Sequence, residues 1–172
     1  MVYLLDANVL ITAHQSYYPL DAVPEFWTWL LHHCSEGNIK MPIETYEEVR
    51  DGGNNEGRNP LYAWVHDETN RATLLLPGEA DGDLVRHVVT EGYAPDLTDD
   101  QIEGLGRDPF LIAHALADTE NRCVVTGETS SPRKQRQNRK VPDVCTSLGV
   151  QSCDPFTLLR ALKFSTDWNR RR

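Results

Sequence analysis

Val2-Tyr3-Leu4-Leu5-Asp6-Ala7-Asn8 opens the chain. Four apolar residues, among them Val and Tyr, run unbroken into Asp-Ala-Asn. A short continuous apolar run with a polar stop predicts a strand buried on both faces, as in a parallel sheet. Val9 to His14 predicts a helix directly behind it. A strand feeding straight into a helix is the first half of an α/β unit, and the rest of the chain repeats the alternation.

Val23, Phe26, Trp27, Leu30, Leu31 and Cys34 recur at i, i+3, i+4 and i+7, the spacing of an amphipathic helix that stops near Gly37. Ile39 to Met41 predicts a second short strand. Pro42 then stands where a helix can start, with Ile43, Tyr46 and Val49 on its apolar side and Gly52-Gly53-Asn54-Asn55 at its end. A short helix around Leu61 to Val65 is expected within residues 56–69, a strand over Ala72 to Leu76, and a helix over Asp81 to Glu91. Residues 92–107 are rich in Gly, Asp and Pro and predict a loop with one helical turn. Asp108-Pro109 suits a helix start, with Asp as N-cap and Pro at the first helical position. Arg122 to Thr126 predicts a strand, 127–140 a long polar loop, Val141 to Leu148 a short helix, Val150 to Cys153 a last strand and Pro155 to Lys163 a closing helix. The expected fold is a three-layer α/β/α sandwich around a mainly parallel central sheet, as one domain over 1–165 with a basic tail at 166–172.

The bulk properties set limits. A chain of 172 residues suits a single domain. No apolar run approaches the roughly 20 residues of a membrane span, and the first residues lack the basic and hydrophobic regions of a signal peptide, so a cytoplasmic protein is expected. Cys34, Cys123, Cys145 and Cys153 form no C-x-x-C pair, which argues for small core residues rather than a zinc site or a disulfide framework. The net charge of −9 opposes binding to a polyanion, but it is unevenly spread: 133–140 reads Arg-Lys-Gln-Arg-Gln-Asn-Arg-Lys, five bases and no acid.

In open α/β sheets, ligands gather beyond the carboxyl ends of the strands. Four acids are expected near that edge. Asp6 follows the first strand, Glu48 lies on the helix after Pro42, Asp108 opens a helix, and Glu128 follows Val124-Val125-Thr126 by one glycine. Carboxylates brought together repel unless a cation neutralises them. Hard oxygen donors of this kind suit Mg²⁺ or Mn²⁺, which would activate water and stabilise charge on a phosphoryl oxygen. Each acid also has a plain explanation. Asp6 and Asp108 can be helix caps, Glu48 a solvated neighbour of Glu44 and Glu47, and Glu128 a turn residue. Asp143, after Pro142, competes with Glu128 for the fourth position. Asn8 and Thr126 are small polar residues able to support a ligand at the same edge. Arg133, Lys134, Arg136, Arg139 and Lys140 form a cationic loop suited to a nucleic-acid backbone, or simply a solvated loop.

Four segments resemble PIN-domain nucleases, in matching order and across nearly the whole chain. Tyr3-Leu4-Leu5-Asp6-Ala7-Asn8-Val9-Leu10-Ile11 resembles the opening strand, which ends in Asp-x-Asn or Asp-x-Ser. Glu47-Glu48-Val49 resembles the segment with the second acid, and its position just before an apolar residue favours Glu48 over Glu47. Asp108-Pro109-Phe110-Leu111-Ile112-Ala113 resembles the segment with the third. Val124-Val125-Thr126-Gly127-Glu128 resembles the strand end that usually reads Thr-x-Asp, with Glu here in place of Asp. Lys140-Val141-Pro142-Asp143-Val144-Cys145 and Asp154-Pro155-Phe156-Thr157-Leu158-Leu159-Arg160 are similar to a bacterial and archaeal branch like the VapC-type toxins. The resemblance implies a PIN-like fold and an Mg²⁺- or Mn²⁺-dependent endoribonuclease, with Asp6, Glu48, Asp108 and Glu128 as catalytic metal ligands. It also implies the toxin of a toxin–antitoxin pair, a homodimer, an RNA substrate and a cognate antitoxin partner. The competing expectation is a catalytically inactive PIN-like module that acts through a protein or RNA partner. An aspartyl-nucleophile phosphatase would want a second acid two residues after Asp6, where Asn8 stands.

Overall fold

Leu4 and Leu5 are neighbours in one strand, both are fully buried, and they face opposite ways. Leu4 joins Val124, Ile112 and Val144 in one core cluster. Leu5 joins Val125, Phe26, Trp29, Leu30 and Tyr46 in the other. The period-two alternation of a strand thus feeds two separate cores, one on each face of the sheet. The computed structural model describes residues 1–52 and 59–170.

The sheet contains β1 (Val2–Leu5), β2 (Ile39–Lys40), β3 (Arg122–Val125) and β4 (Gln151–Cys153) in the order β2-β1-β3-β4. Every pairing is parallel, with Tyr3 opposite Ile39, Leu5 opposite Val125, and Val125 opposite Cys153. Parallel neighbours need long crossovers, and helices supply them. α1 (Ala7–Thr12) leaves β1 and continues as a π-helical segment, Ala13–Tyr17. α2 (Pro24–Ser35), α3 (Ile43–Asp51), α4 (Pro60–His66) and α5 (Glu68–Leu74) line the Leu5 face. α6 (Gly82–His87) runs into a second π-helical segment, Val88–Tyr93. After α7 (Asp99–Glu103), α8 (Asp108–Leu116) and α9 (Val141–Ser147) line the Leu4 face. α10 (Pro155–Ala161) returns Leu158 to the Leu5 side. The architecture is the expected α/β/α sandwich. All four cysteines are free thiols, three of them buried as core residues, and among the described residues no helix is long and apolar enough to cross a membrane.

Two local expectations are corrected. Ala72 to Leu76 is not a strand. Asp67 caps α5 by accepting from Asn70 N at 2.9 Å, and helix runs to Leu74. Only a single parallel bridge between Met41 and Leu75 remains of the expected pairing. A short apolar run fits either period, and here the cap decides. Asp108 is not an N-cap: Arg107 holds that position, Asp108 is already inside α8, and no side-chain cap bond forms. The closing helix stops at Ala161, and Lys163 beyond it adopts a left-handed φ of 54°. In the basic tail, Trp168 docks on α2 through Nε1 to Glu25 O at 3.2 Å. The expectations for Gly53 to Asn55, for residues 56–58 and for Arg171 and Arg172 lie outside the described residues.

Gly92, in the second π-helical segment, presses its Cα against α9. A Cβ there would lie 2.7 Å from Val144 Cγ1 and 3.1 Å from Leu148 Cδ1. Gly92→Ala should therefore destabilise the chain by about 1–3 kcal/mol through overpacking. Urea denaturation with an unchanged midpoint would show that α9 can step aside.

Candidate functional site

Because every strand is parallel, all four carboxyl ends share one edge. From β1 the chain crosses to β2 on one side and later to β3 on the other, so a crevice opens between the ends of β1 and β3. The ladder continues one residue past both strands, through Asp6 N to Val125 O at 2.9 Å and Thr126 N to Cys153 O at 3.1 Å. That extension fixes Asp6 and Thr126 side by side. Thr126 Oγ1 donates to Asp6 Oδ2 at 2.7 Å and accepts from Glu128 N at 3.1 Å. Asp6 also caps α1, accepting weakly from Asn8 N at 3.4 Å. Its cap role and its place in the crevice are thus both real. Thr126 supports the acid as expected; the Asn8 side chain is exposed.

α3 is locked to the same edge. Thr45 Oγ1 donates to Leu5 O at 3.2 Å and to Pro42 O at 3.1 Å. One turn on, Glu48 reaches the field of Asp6. Glu47 points elsewhere, 3.9 Å from both Arg50 and Arg107, which leaves Glu48 as the acid of this helix at the crevice. α8 brings Asp108 in from the opposite face of the sheet.

The electrostatics define the cluster. Burial is the main cause that raises the Asp6 carboxyl; Thr126 and Asn8 N counter it, and Glu128 adds to it. Glu48, although exposed, is raised by partial desolvation too, with Asp6 adding and Arg107 opposing. Asp108 is pushed up to about 7, first by burial and then by Asp6, Glu128 and Glu48, with Lys140 opposing. All four expected acids therefore act on Asp108 or are Asp108. Asp143 does not belong to this group. It accepts from Ser130 Oγ at 2.5 Å and Ser131 N at 2.7 Å, hydrogen bonds that hold it below the usual carboxylate range. Those bonds pin the 127–140 loop to α9, whereas Glu128 is the one of the two acids whose charge acts on Asp6 and Asp108.

The basic loop is less free than its composition suggests. Arg136 pairs with Asp96 at 2.6 Å, and Arg139 donates to Gly92 O and to Asp143 O. Lys140 pairs with Glu128, which also accepts from Val141 N at 2.8 Å. Arg133 and Lys134 are exposed, and their side chains make no hydrogen bond or ion pair among the described residues; Lys134 N donates to Ser131 O at 2.9 Å.

Two features were not legible in advance. Tyr93 is buried, yet its hydroxyl has no hydrogen-bond partner among the described residues. Its pKa is raised by burial and then by Asp108, Cys145 and Glu128, so the unpaired donor lies beside the carboxylates. An unsatisfied buried hydroxyl costs about 1–3 kcal/mol. Tyr93 stood at the head of a Gly-, Asp- and Pro-rich run, with no motif to mark it. The second feature is a buried pair, His114 Nε2 to Glu44 Oε2 at 3.2 Å, which ties α8 to α3. Glu44 is one turn before Glu48, so the pair sets the separation of the two helices that carry Glu48 and Asp108.

As the side chains stand, no group of three or more Asp, Glu, His or Cys residues among those described closes into a metal-gripping set. Glu128 is turned toward Lys140, and Glu48 faces solvent. The donor chemistry nevertheless fits a hard divalent cation: four carboxylates, Asp6 buried and Asp108 half-buried against like charge. The family described as a domain of unknown function (DUF4411) matches residues 3–166 of the chain. None of the curated proteins and none of the solved structures matches it.

The pH dependence of stability follows from Asp108. Folded, it keeps its proton up to about pH 7; unfolded, it loses it near 3.8. Between those values the folded state binds more protons, so Asp108 makes stability fall as pH rises from about 4 to about 7. In chelator at pH 8, Asp108→Asn should be more stable than wild type by something on the order of 2 kcal/mol, with the gap closing toward pH 4. Paired denaturation curves that keep a constant gap across this range would contradict the cluster.

Proposed function

Because the chain belongs to the DUF4411 family, whose description assigns no function, we propose an activity from its site chemistry: a metal-dependent endoribonuclease that hydrolyses RNA phosphodiester bonds. What supports this reading is that the charges of Asp6, Glu48 and Glu128 all act on Asp108, at the carboxyl edge of the sheet. These four acids are the same four positions at which the chain resembles PIN-domain nucleases.

Asp6, Asp108, Glu48 and Glu128 would hold Mg²⁺ or Mn²⁺. When bound, such a cation polarises a phosphoryl oxygen and makes water a stronger nucleophile near neutral pH. The chain's own residues do the rest. Thr126 fixes the Asp6 rotamer through Oδ2. Tyr93 holds an unpaired hydroxyl proton in the field of Asp108 and Glu128. Arg133 and Lys134 are the two loop bases left to meet backbone phosphates, where they add affinity without sequence information. The resemblance of Lys140 to Cys145 and of Asp154 to Arg160 to the VapC-like branch supports a finer reading, a homodimeric toxin silenced by a cognate antitoxin.

One observation favours a second reading. Lys140 already neutralises Glu128, as expected of a chain that keeps the fold but binds a protein or RNA partner without cutting. Metal uptake separates the two. For the nuclease, Mn²⁺ at 100 times its dissociation constant should stabilise the wild type by about 2.7 kcal/mol, with little effect on Asp108→Asn. No calorimetric or thermal response to Mn²⁺ or Mg²⁺ would favour the inactive module.

Cleavage of a mixed RNA set should require Mg²⁺ or Mn²⁺ and stop in chelator. Loss of an outer partner of a metal site costs about 10–100-fold, so Asp6→Asn should cost at least about 100-fold with the fold intact. Undiminished cleavage by Asp6→Asn would end the proposed mechanism. Tyr93→Phe should leave the melting temperature unchanged or raise it, since the hydroxyl it removes is unpaired, yet slow cleavage. A variant that cuts at the wild-type rate would remove Tyr93 from the site.

A further inference from the structure

At the same edge as the carboxylates lies a concavity of about 440 Å³, lined in part by Asn8 and Glu128. The volume falls in the range of roughly 300–1,000 Å³ common for pockets that take small organic groups. Its floor is apolar, built on Trp29 and Leu158, both buried. Two aromatic rings stand at its exposed wall, Tyr17 and Phe156, 53% and 43% accessible. They meet edge to face with centroids 5.2 Å apart. Large aromatic side chains left this open, against an apolar hollow, offer ring faces to a planar partner. Tyr17 reaches this wall from the end of a π-helical segment, a geometry often found at functional sites.

Charge narrows the ligand. Among the described lining residues there is no Lys or Arg, whereas the acids Glu128 and Asp154 are present. A phosphate or carboxylate would be repelled from the hollow, so the group inside is not an anion, and the apolar floor favours a neutral one. The exposed Asn8 offers an amide donor and acceptor to its edge. We infer that this hollow is a nucleobase subsite, which takes one unpaired base of the RNA against Tyr17 and Phe156 while the adjoining phosphate remains at the acidic crevice. The inference rests on the nuclease reading of that crevice. It adds what the crevice alone does not give, a fixed distance between a gripped base and the bond to be cut.

Two measurements on the full chain test it. First, free adenosine, guanosine, cytidine and uridine are added in turn, and saturation-transfer NMR follows contact with aromatic protons. Transfer to at least one nucleoside is expected in wild type and in Asp6→Asn, and its loss in the Tyr17→Ala/Phe156→Ala double variant. Tyr17→Phe and Phe156→Tyr, which keep the rings, should retain it, and thermal melts confirm that all variants fold. Second, Asp6→Asn is titrated with a fluorescein-labelled ribo-oligonucleotide carrying one abasic nucleotide, moved position by position. Loss of a stacked base should weaken binding about 5- to 100-fold, at one fixed offset from the bond that wild type cuts.

No transfer to any nucleoside, or no position-specific abasic effect, overturns the subsite. Wild-type KM in the double variant, with RNA still cut, also overturns it while leaving the nuclease reading standing. Transfer that depends on Tyr17 and Phe156, in a protein that cuts no RNA with any divalent cation, supports the base subsite and rejects the nuclease. Binding of an apolar peptide or an acyl chain in place of nucleosides assigns the hollow to another occupant and rejects the inference.

Discussion

The hydrogen bond from Thr126 Oγ1 to Asp6 Oδ2 joins the ends of the two central strands. A buried carboxylate without a partner would shift its pKa and neutralise, or unfold its surroundings. Here the parallel register carries both residues one step past β1 and β3, so the threonine arrives in place without any loop having to be ordered. The same hydroxyl accepts from Glu128 N, which starts the next loop at a fixed point. The acid, its support and the origin of the loop therefore depend on one strand pairing, Leu5 opposite Val125.

Around that centre the molecule manages repulsion. α3 and α8 each present an acid to the crevice, and nothing about like charges would draw these helices together. Other contacts hold them. Thr45 grips Leu5 O, and the buried Glu44–His114 pair spans α3 and α8. Apolar burial on both faces of the sheet supplies the rest. The result is a site strained by its own charge, most clearly at Asp108, whose carboxyl sits near 7. Strain of this kind is offset by the remainder of the fold, and a bound cation would relieve it.

Much of this was legible from residue order alone. The apolar run that stops at a polar residue, at Leu5-Asp6 and Val125-Thr126, marks the sheet edge, because a continuous apolar run has to end where the chain leaves the core. The amphipathic spacing from Val23 to Cys34 placed α2 within a residue or two of Pro24–Ser35. What failed was decided by local competition. Ala72 to Leu76 suits a strand by composition, but the Asp67 cap had already committed the preceding turn to helix. Asp108 has the chemistry of a cap, but Arg107 begins the helix one residue earlier and frees the carboxylate. Asp143 and Glu128 could not be ranked without knowing that Ser130 and Ser131 consume one of them. Tyr93 and the Glu44–His114 pair depend on contacts between elements far apart in the chain, which no local pattern encodes.

Both π-helical segments end on a tyrosine, Tyr17 at one and Tyr93 at the other. A π turn holds roughly one residue more than an α turn, so removing one residue from either segment would let it relax to ordinary helix. Each residue of α-helix turns the chain by about 100°. A single deletion would thus swing Tyr17 or Tyr93 away from its present station while leaving the sheet untouched. The length of two short helical stretches, more than the identity of any side chain in them, is then what a lineage could alter to redirect an aromatic ring at this edge.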